Sequence, residues 1–563
     1  MTDSEMDTQP SDSVQITAQC LCRTHTFSAV VPLASLPLSA SCCHCDSCRR
    51  VTGALYSSDA LWPSTDTAAL RALQRYDLFP RSGVAVLFCG TCGSPMFFEE
   101  ARSTTQGGKA GGDSDKAGGD SGPTYDVFTG VLGDPVRSGA GGLGRAEGRG
   151  GDEKEEEKEE EQRAAGDFPP LVRFNGHIFV GDTRDGGAAC WLRRMNGTAV
   201  AAEGNITQRW LGRRGEKSGE VAGMDYWPPL KELPVPASDE DGVPEDDGDV
   251  PIRCHCGGVN LVWRAGRARR EFAAAAAAAA GDFEGKVEGS GARPTQLPWF
   301  VDPATYKSLG SLDGCNSCRR ASGADVFNWT FALVEHIDFA SGGSSRFLED
   351  SIALKVAVGA AAGASLGDAG LGTLAFYASS PDVQRYFCSR CSATVFYAVD
   401  ERPEMLDVAV GLLRAPDGAR AENAVSWALG GDIGWRNDML DGNWREELVK
   451  AVEDDAEEWR VARGYPKNWR RFTNDEDNRC SVLETPFFAN QGWSGGPAFH
   501  WSADGKAILG AIATMCAGPL HDCVDATTTV LAAGMRIGDL VTYGILKWDL
   551  GWDEELGFSK SPE

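Results

Sequence analysis

The stretch Ser41 to Arg50, SCCHCDSCRR, places Cys42, Cys43, Cys45 and Cys48 within seven positions. Neighbouring cysteines of this spacing are poorly placed to bridge one another, because a disulfide needs a particular Cα separation and Cβ direction. A shared metal ion is the simpler chemistry. The chain has 18 cysteines, and 13 of them fall into short spacings that occur twice. The first pass runs Cys20-x-Cys22, then Cys43-x-Cys45-x-x-Cys48-Arg-Arg-x-x-Gly-Ala, then Cys89-x-x-Cys92 with an aromatic pair behind it. The second runs Cys254-x-Cys256, then Asp313-x-Cys315-x-x-Cys318-Arg-Arg-x-x-Gly-Ala, then Cys388-x-x-Cys391, again with an aromatic pair. Order and core both recur, which is the mark of a tandem duplication.

On a strand, residues i and i+2 share a face, so Cys20 and Cys22 are expected to offer two sulfurs to one ion. Cys89 and Cys92 supply two more, and four thiolates close a tetrahedron around zinc as a structural site. Cys254, Cys256, Cys388 and Cys391 repeat that set. Cys43, Cys45 and Cys48 give only three ligands and leave a fourth position for water or substrate, the catalytic pattern; His44 or Cys42 are the other candidates for that position. In the second pass Asp313 stands where the first has Cys43, a hard oxygen for a soft thiolate, so Asp313, Cys315 and Cys318 form a weaker or vestigial site.

These ligands must be positioned by short strands. VAVLFC, DVFTGVL, HIFVGD, VNLVW, DVFNWTFALV and LDVAVGLL are brief apolar runs bounded by Gly and Pro, so each copy is read as mainly β. Trp444, Leu448, Val449, Val452, Ala456 and Trp459 recur at helical spacing and predict an amphipathic helix. The expected organisation is a disordered 1–13, a zinc-binding domain at 14–232 with low-complexity insertions at 103–123 and 137–166, an acidic linker at 233–250, a second such domain at 251–443, a helical connector at 444–480 and a β-rich segment at 481–563. The Ala273 to Ala280 run and VGAAAGASLGDAGLG read as insertions of the second copy, looped out at the surface.

With 563 residues and a formal charge of −27, the chain lacks the basic surface that a phosphate backbone requires, so nucleic acid is not expected as a partner. No signal peptide and no run of about 18 apolar residues is visible, which predicts a soluble cytoplasmic protein with no membrane partner. In a reducing compartment the cysteines are thiols or metal ligands. Cys190, Cys480, Cys516 and Cys523 are read as small buried hydrophobes, and His25, His255 and His336 as local polar groups.

The series Cys-x-Cys, Cys-His-Cys-x-x-Cys-Arg-Arg-x-x-Gly-Ala, Trp62, Phe-Cys-Gly-x-Cys-Gly-x-Pro-x-Phe and His177-Ile-Phe-Val resembles the glutathione-dependent formaldehyde-activating enzyme family, also called the centromere protein V domain. The resemblance implies two tandem zinc-binding β-tent domains, with two zinc ions per intact domain. It implies Cys20, Cys22, Cys89 and Cys92 on the structural ion and Cys43, Cys45 and Cys48 on the catalytic one. The implied activity is that of a zinc-dependent carbon-sulfur lyase acting on a small thiol and an aldehyde, glutathione and formaldehyde, making or cleaving S-(hydroxymethyl)glutathione. Arg49 and Arg50 are then candidates for a glutathione carboxylate. The alternative is a zinc-stabilised binding module without turnover. Thr394 stands where the first copy has Pro95, a further departure in the second.

NQGWSGGPAFHW places Ser494 in a setting similar to the nucleophile loop of trypsin-like serine peptidases. The resemblance covers only about 70 residues and lacks an upstream general-base histidine, so a degenerate segment is the expectation.

Overall fold

The computed structural model describes residues 13–64, 67–79, 82–101, 122–137, 170–196, 208–214, 248–281, 297–340, 347–361, 370–439, 444–465 and 467. Nearly all of them lie in one compact unit, Met1–Ser379 with Gln384–Lys467. A second unit comprises Ser380–Val383 with Asn468–Glu563. Its larger part falls outside the described residues, as do Ser494, Cys480, Cys516, Cys523, residues 233–247 of the expected linker and nearly all of the 103–123 and 137–166 insertions; the linker's last residue, Val250, begins the strand Val250–Arg253.

The described chain is mainly β, built from two three-stranded and two seven-stranded sheets. The first seven-stranded sheet runs, in spatial order, Val172–Ile178, Leu38–Cys43, Ser57–Leu61, Thr124–Phe128, Pro95–Glu100, Val84–Phe88 and Gln74–Asp77. The second runs Val425–Trp427, Ser308–Asp313, Phe327–Leu333, Met405–Ala409, Thr394–Val399, Val383–Cys388 and Leu374–Ser380. Both put a late strand in parallel on the strand that ends at the triad, Val172–Ile178 on Leu38–Cys43 and Val425–Trp427 on Ser308–Asp313. Strands with one wet face alternate, as in Ser13–Gln19, where Val14, Ile16 and Ala18 are buried. Strands covered on both faces do not alternate: all of Met405–Ala409 is buried. The apolar runs singled out in the sequence all contain strands.

Five α-helices punctuate the sheets among the described residues: α1 (Asp46–Thr52), α2 (Ala265–Gly281), α3 (Asn316–Ser322), α4 (Ser351–Ala361) and α5 (Glu446–Ala462). The Ala273 to Ala280 run is therefore the body of α2, and the start of VGAAAGASLGDAGLG closes α4. Alanine has the highest helix propensity, so the Ala273 to Ala280 run and the first four residues of the second stretch, Val358 to Ala361, are helix rather than surface loop. α5 carries the expected stripe, with Leu448, Val449, Val452, Ala456 and Trp459 all buried. Trp459 meets Trp191 at 5.7 Å between ring centroids, and Trp191 meets Trp427 at 4.8 Å, so the helix seals a seam between segments far apart in sequence.

The two sheet systems pack through reciprocal contacts. α1 and α3 each end on a left-handed glycine, Gly53 with φ 80° and Gly323 with φ 76°. The Gly130 N–H donates to the Gly323 carbonyl at 3.0 Å, and the Gly411 N–H donates to the Gly53 carbonyl at 2.8 Å. Each half thus offers the same two features to the other, as in a two-fold interface. Glycine is required there, because a Cβ on Gly411 would lie 2.1 Å from the Ala54 carbonyl oxygen. A buried ion pair, Arg445 Nε to Asp325 at 2.7 Å, ties the seam; Arg445 also donates to the Thr129 carbonyl, and Thr129 Oγ1 to Asp325.

Candidate functional site

Two four-cysteine clusters hold all their sulfurs within 4.8 Å of one another: Cys20, Cys22, Cys89 and Cys92, and Cys254, Cys256, Cys388 and Cys391. Cys20 and Cys22 are not on a strand. The strand Ser13–Gln19 ends one residue earlier, and the pair sits in the turn that follows, as Cys254 and Cys256 follow Val250–Arg253. The turn folds sulfurs inward: the His25 N–H donates to Cys20 Sγ at 3.3 Å, and the Val259 N–H to Cys254 Sγ at 3.2 Å. Adjacent sulfurs lie 3.5 to 3.6 Å apart in the first cluster and 3.5 Å in the second. Four ligands at the usual Zn–S length span tetrahedral edges of about 3.8 Å, so both donor sets fit a closed zinc site. The thiols cannot all ionise alone; hydrogen bonds from Cys20 and Cys92 hold Cys89 far below the usual thiol range, while those bonds push Cys20 far above it.

Cys43, Cys45 and Cys48 form a third cluster within the same 4.8 Å limit. Cys43 ends the strand Leu38–Cys43, Cys45 caps α1, and Cys48 lies one turn in. The Cys48 N–H donates to Cys45 Sγ at 3.3 Å. Hydrogen bonds from the Cys43 and Cys48 thiols, with those backbone N–H groups, lower Cys45 to about 3. Cys43 is correspondingly pushed well above its ordinary value. Three soft donors with one thiolate already formed suit a borderline-soft ion such as zinc.

Neither sequence candidate for a fourth ligand joins this cluster. Cys42 points to the other face of the strand, its thiol 3.6 Å from Met195 Sδ. The buried His44 ring pairs with His177, Nε2 to Nδ1 at 2.9 Å, and His177 Nε2 reaches the Leu192 carbonyl at 3.1 Å. Burial, reinforced by the Arg49 charge, lowers His44 to about 3, so the pair is neutral and anchors the loop between Cys43 and Cys45. Arg49 and Arg50 also serve the protein itself. Arg49 is buried and its Nε donates to the His44 carbonyl at 3.3 Å; Arg50 donates to the Cys254 carbonyl at 2.6 Å and pairs with Asp46. Both guanidiniums thus have partners within the protein, Arg49 through its Nε and one terminal nitrogen and Arg50 through its Nε and both terminal nitrogens.

The first triad has acidic neighbours that motif reading missed. Asp59 stands opposite Ser41 on the next strand, and Asp126 opposite Leu61. Burial, then the charges of Asp126, Glu100 and Cys45, raise Asp59 well above the carboxylate range. Burial and Glu100 raise Asp126 to about 6.

Asp313, Cys315 and Cys318 also converge within 4.8 Å, Asp313 from the end of the strand Ser308–Asp313, Cys315 from the cap of α3 and Cys318 from its first turn. Their surroundings differ. Trp329 takes the register position of Asp59, and Arg385, where counting back from the Cys-x-x-Cys turn gives Val86 in the first half, reaches Cys318 Sγ at 3.5 Å. Arg385 also lies 4.8 Å from the Tyr397 ring centre. Burial opposes ionisation of Cys318, but the Cys315 thiol and the Arg385 charge outweigh it and lower the thiol to about 6. A guanidinium thus sits where the first triad has none.

Cys190 is buried, as the sequence suggested. His255 is more than a local polar group: its ring joins Tyr76 at 2.8 Å and Ser47 at 3.2 Å across the seam. No helix among the described residues is long and apolar enough to cross a membrane.

No curated protein and no solved structure matches this chain. Residues 15–130, which contain Cys20, Cys22, Cys43, Cys45, Cys48, Cys89 and Cys92, match the family described as glutathione-dependent formaldehyde-activating enzyme.

Proposed function

We propose that the first half is a zinc-dependent carbon-sulfur lyase that makes or cleaves the adduct of glutathione with formaldehyde, with Cys43, Cys45 and Cys48 holding the ion. The observation that carries this reading is the three-sulfur cluster inside the matched segment, free of the guanidinium that occupies its counterpart. Bound there, zinc would stabilise a thiolate at neutral pH, a role suited to thiolate ligands, which make the ion a weak Lewis acid toward carbonyls.

The chain's own residues supply the rest. The α1 turn fixes Cys45 through backbone N–H groups, and the neutral His44–His177 pair with Arg49 holds the preceding loop rigid. In the synthetic direction, the glutathione thiol loses its proton to solvent, which later reprotonates the acid that serves the product, and its sulfur pair forms the bond to the aldehyde carbon. The carbonyl π pair moves to oxygen, which takes up a proton. Asp59, whose carboxyl is pushed up by burial and acidic neighbours, is our candidate to give that proton and, in cleavage, to take it back from the hydroxyl. The second half lacks this acid and one thiol, and we assign it a structural role with its four-cysteine site filled and its triad free of metal.

Exchange NMR with carbon-13 formaldehyde and glutathione tests the reading. The full chain should accelerate interconversion of adduct and free reactants, Cys45→Ala should lose at least 100-fold of that acceleration, as expected when a nucleophile-activating centre is removed, and Cys318→Ala should retain it. Acceleration that survives Cys45→Ala would contradict it.

A further inference from the structure

The seam between the halves contains two related clefts, each formed by a four-cysteine turn of one half and the Cys-x-x-Cys helix of the other. In one, the cleft is filled and neutralised. Asp46 on α1 accepts from Arg50 at 3.2 Å and from Arg49 at 3.4 Å, and pairs with Arg414. The His255 ring occupies the space between Tyr76 and Ser47.

In the other, the same positions carry different side chains. Asn316 on α3 replaces Asp46, Leu21 replaces His255, and Arg23 replaces Gly257. The result is a cavity of about 470 Å³ lined by Arg23, Arg320, Asn316, Ser317, Tyr377 and Ser379, among others. Among the described residues neither Arg23 nor Arg320 has a side-chain hydrogen bond or ion pair, and the Nε of Arg320 is buried without a partner. Both clefts face a four-cysteine turn, so that turn's charge does not account for the difference. Arg23 moreover holds a left-handed φ of 62°, where Gly257 holds 72° in the sister turn. Glycine would hold that conformation without strain, so Arg23→Gly removes the guanidinium while leaving the turn intact.

We infer that this cavity is a binding site for a small oxyanion ligand, a molecule carrying a phosphate or clustered carboxylates, clamped between Arg23 and Arg320. Two guanidiniums facing one space match such a group, and Asn316, Ser317, Tyr377 and Ser379 supply neutral donors around it. The volume lies in the range of small-molecule sites. The site is separate from the first triad and does not depend on the lyase reading.

Isothermal titration of the zinc-loaded full chain with inorganic phosphate and, separately, with citrate tests it at fixed ionic strength. Saturable binding of one probe or both is expected, and which one binds identifies phosphate or carboxylate as the recognised group. Arg320→Gln and Arg23→Gly should each weaken binding at least tenfold. Arg23→Gly relaxes the strained turn, so its fold is preserved, and zinc content should match the parent. Asn316→Asp, which installs the carboxylate that the sister cleft already tolerates, should abolish binding. No saturable binding of either probe, or binding unchanged in Arg320→Gln and Asn316→Asp, overturns the inference.

Discussion

The exchange of single residues separates two triads that share a backbone. Cys43, Asp59 and Val86 in the first half face Asp313, Trp329 and Arg385 in the second, by register or by spacing. The first set gives soft donors beside a carboxyl pushed up by burial; the second gives a hard donor beside a fixed cation and an indole. The acid carries a measurable consequence. Asp126 titrates near 6 in the folded protein rather than at the ordinary 3.8, so the native state binds its proton more tightly than the unfolded chain does. Its contribution is therefore favourable at low pH and is lost as pH rises through about 6. Denaturant unfolding of Asp126→Asn should show a stability advantage over the parent that appears across that window and persists above it. An advantage confined to pH below 4 would show the opposite linkage.

At the scale of elements, α1 and α3 are the pieces that turn cysteine spacing into geometry. They were missed in the sequence because a seven-residue helix is too short for a periodic signal. Their marks were present: Arg49 and Arg50 in the last turn of α1, then Gly53 just past it, the usual end of a helix. The strands were legible because Val, Phe and Trp runs bounded by Gly and Pro report local burial. The ligand sets were legible because spacing alone brings sulfurs together. Asp59, Arg385 and the His44–His177 pair were not, since each depends on strand register across long sequence separations. Nor was the fate of Arg49 and Arg50, whose partners include carbonyls of His44 and Cys254. The two helix ends also dock the halves. Gly411→Ala would press a methyl group into the Ala54 and Gly53 carbonyls, and a loss of roughly 1–3 kcal/mol is expected in denaturant titration. An unchanged midpoint would mean the seam adjusts freely.

The described residues form two sheet systems that share one core, and the apolar stripe of α5 is buried in it. On the proposed reading, that joint core gives the second half a structural part: its core residues pack in one cluster with those of the first half. The account therefore assigns different fates to four cysteine-bearing clusters, two closed, one open and one already occupied by Arg385. Zinc per chain, measured by elemental analysis on the full-length protein and on Cys45→Ala, tests this most directly. The account predicts three ions, falling to two in the variant. Four ions would show that the Asp313 triad loads despite Arg385, and two ions unchanged by Cys45→Ala would remove the metal from the first triad and the lyase reading with it.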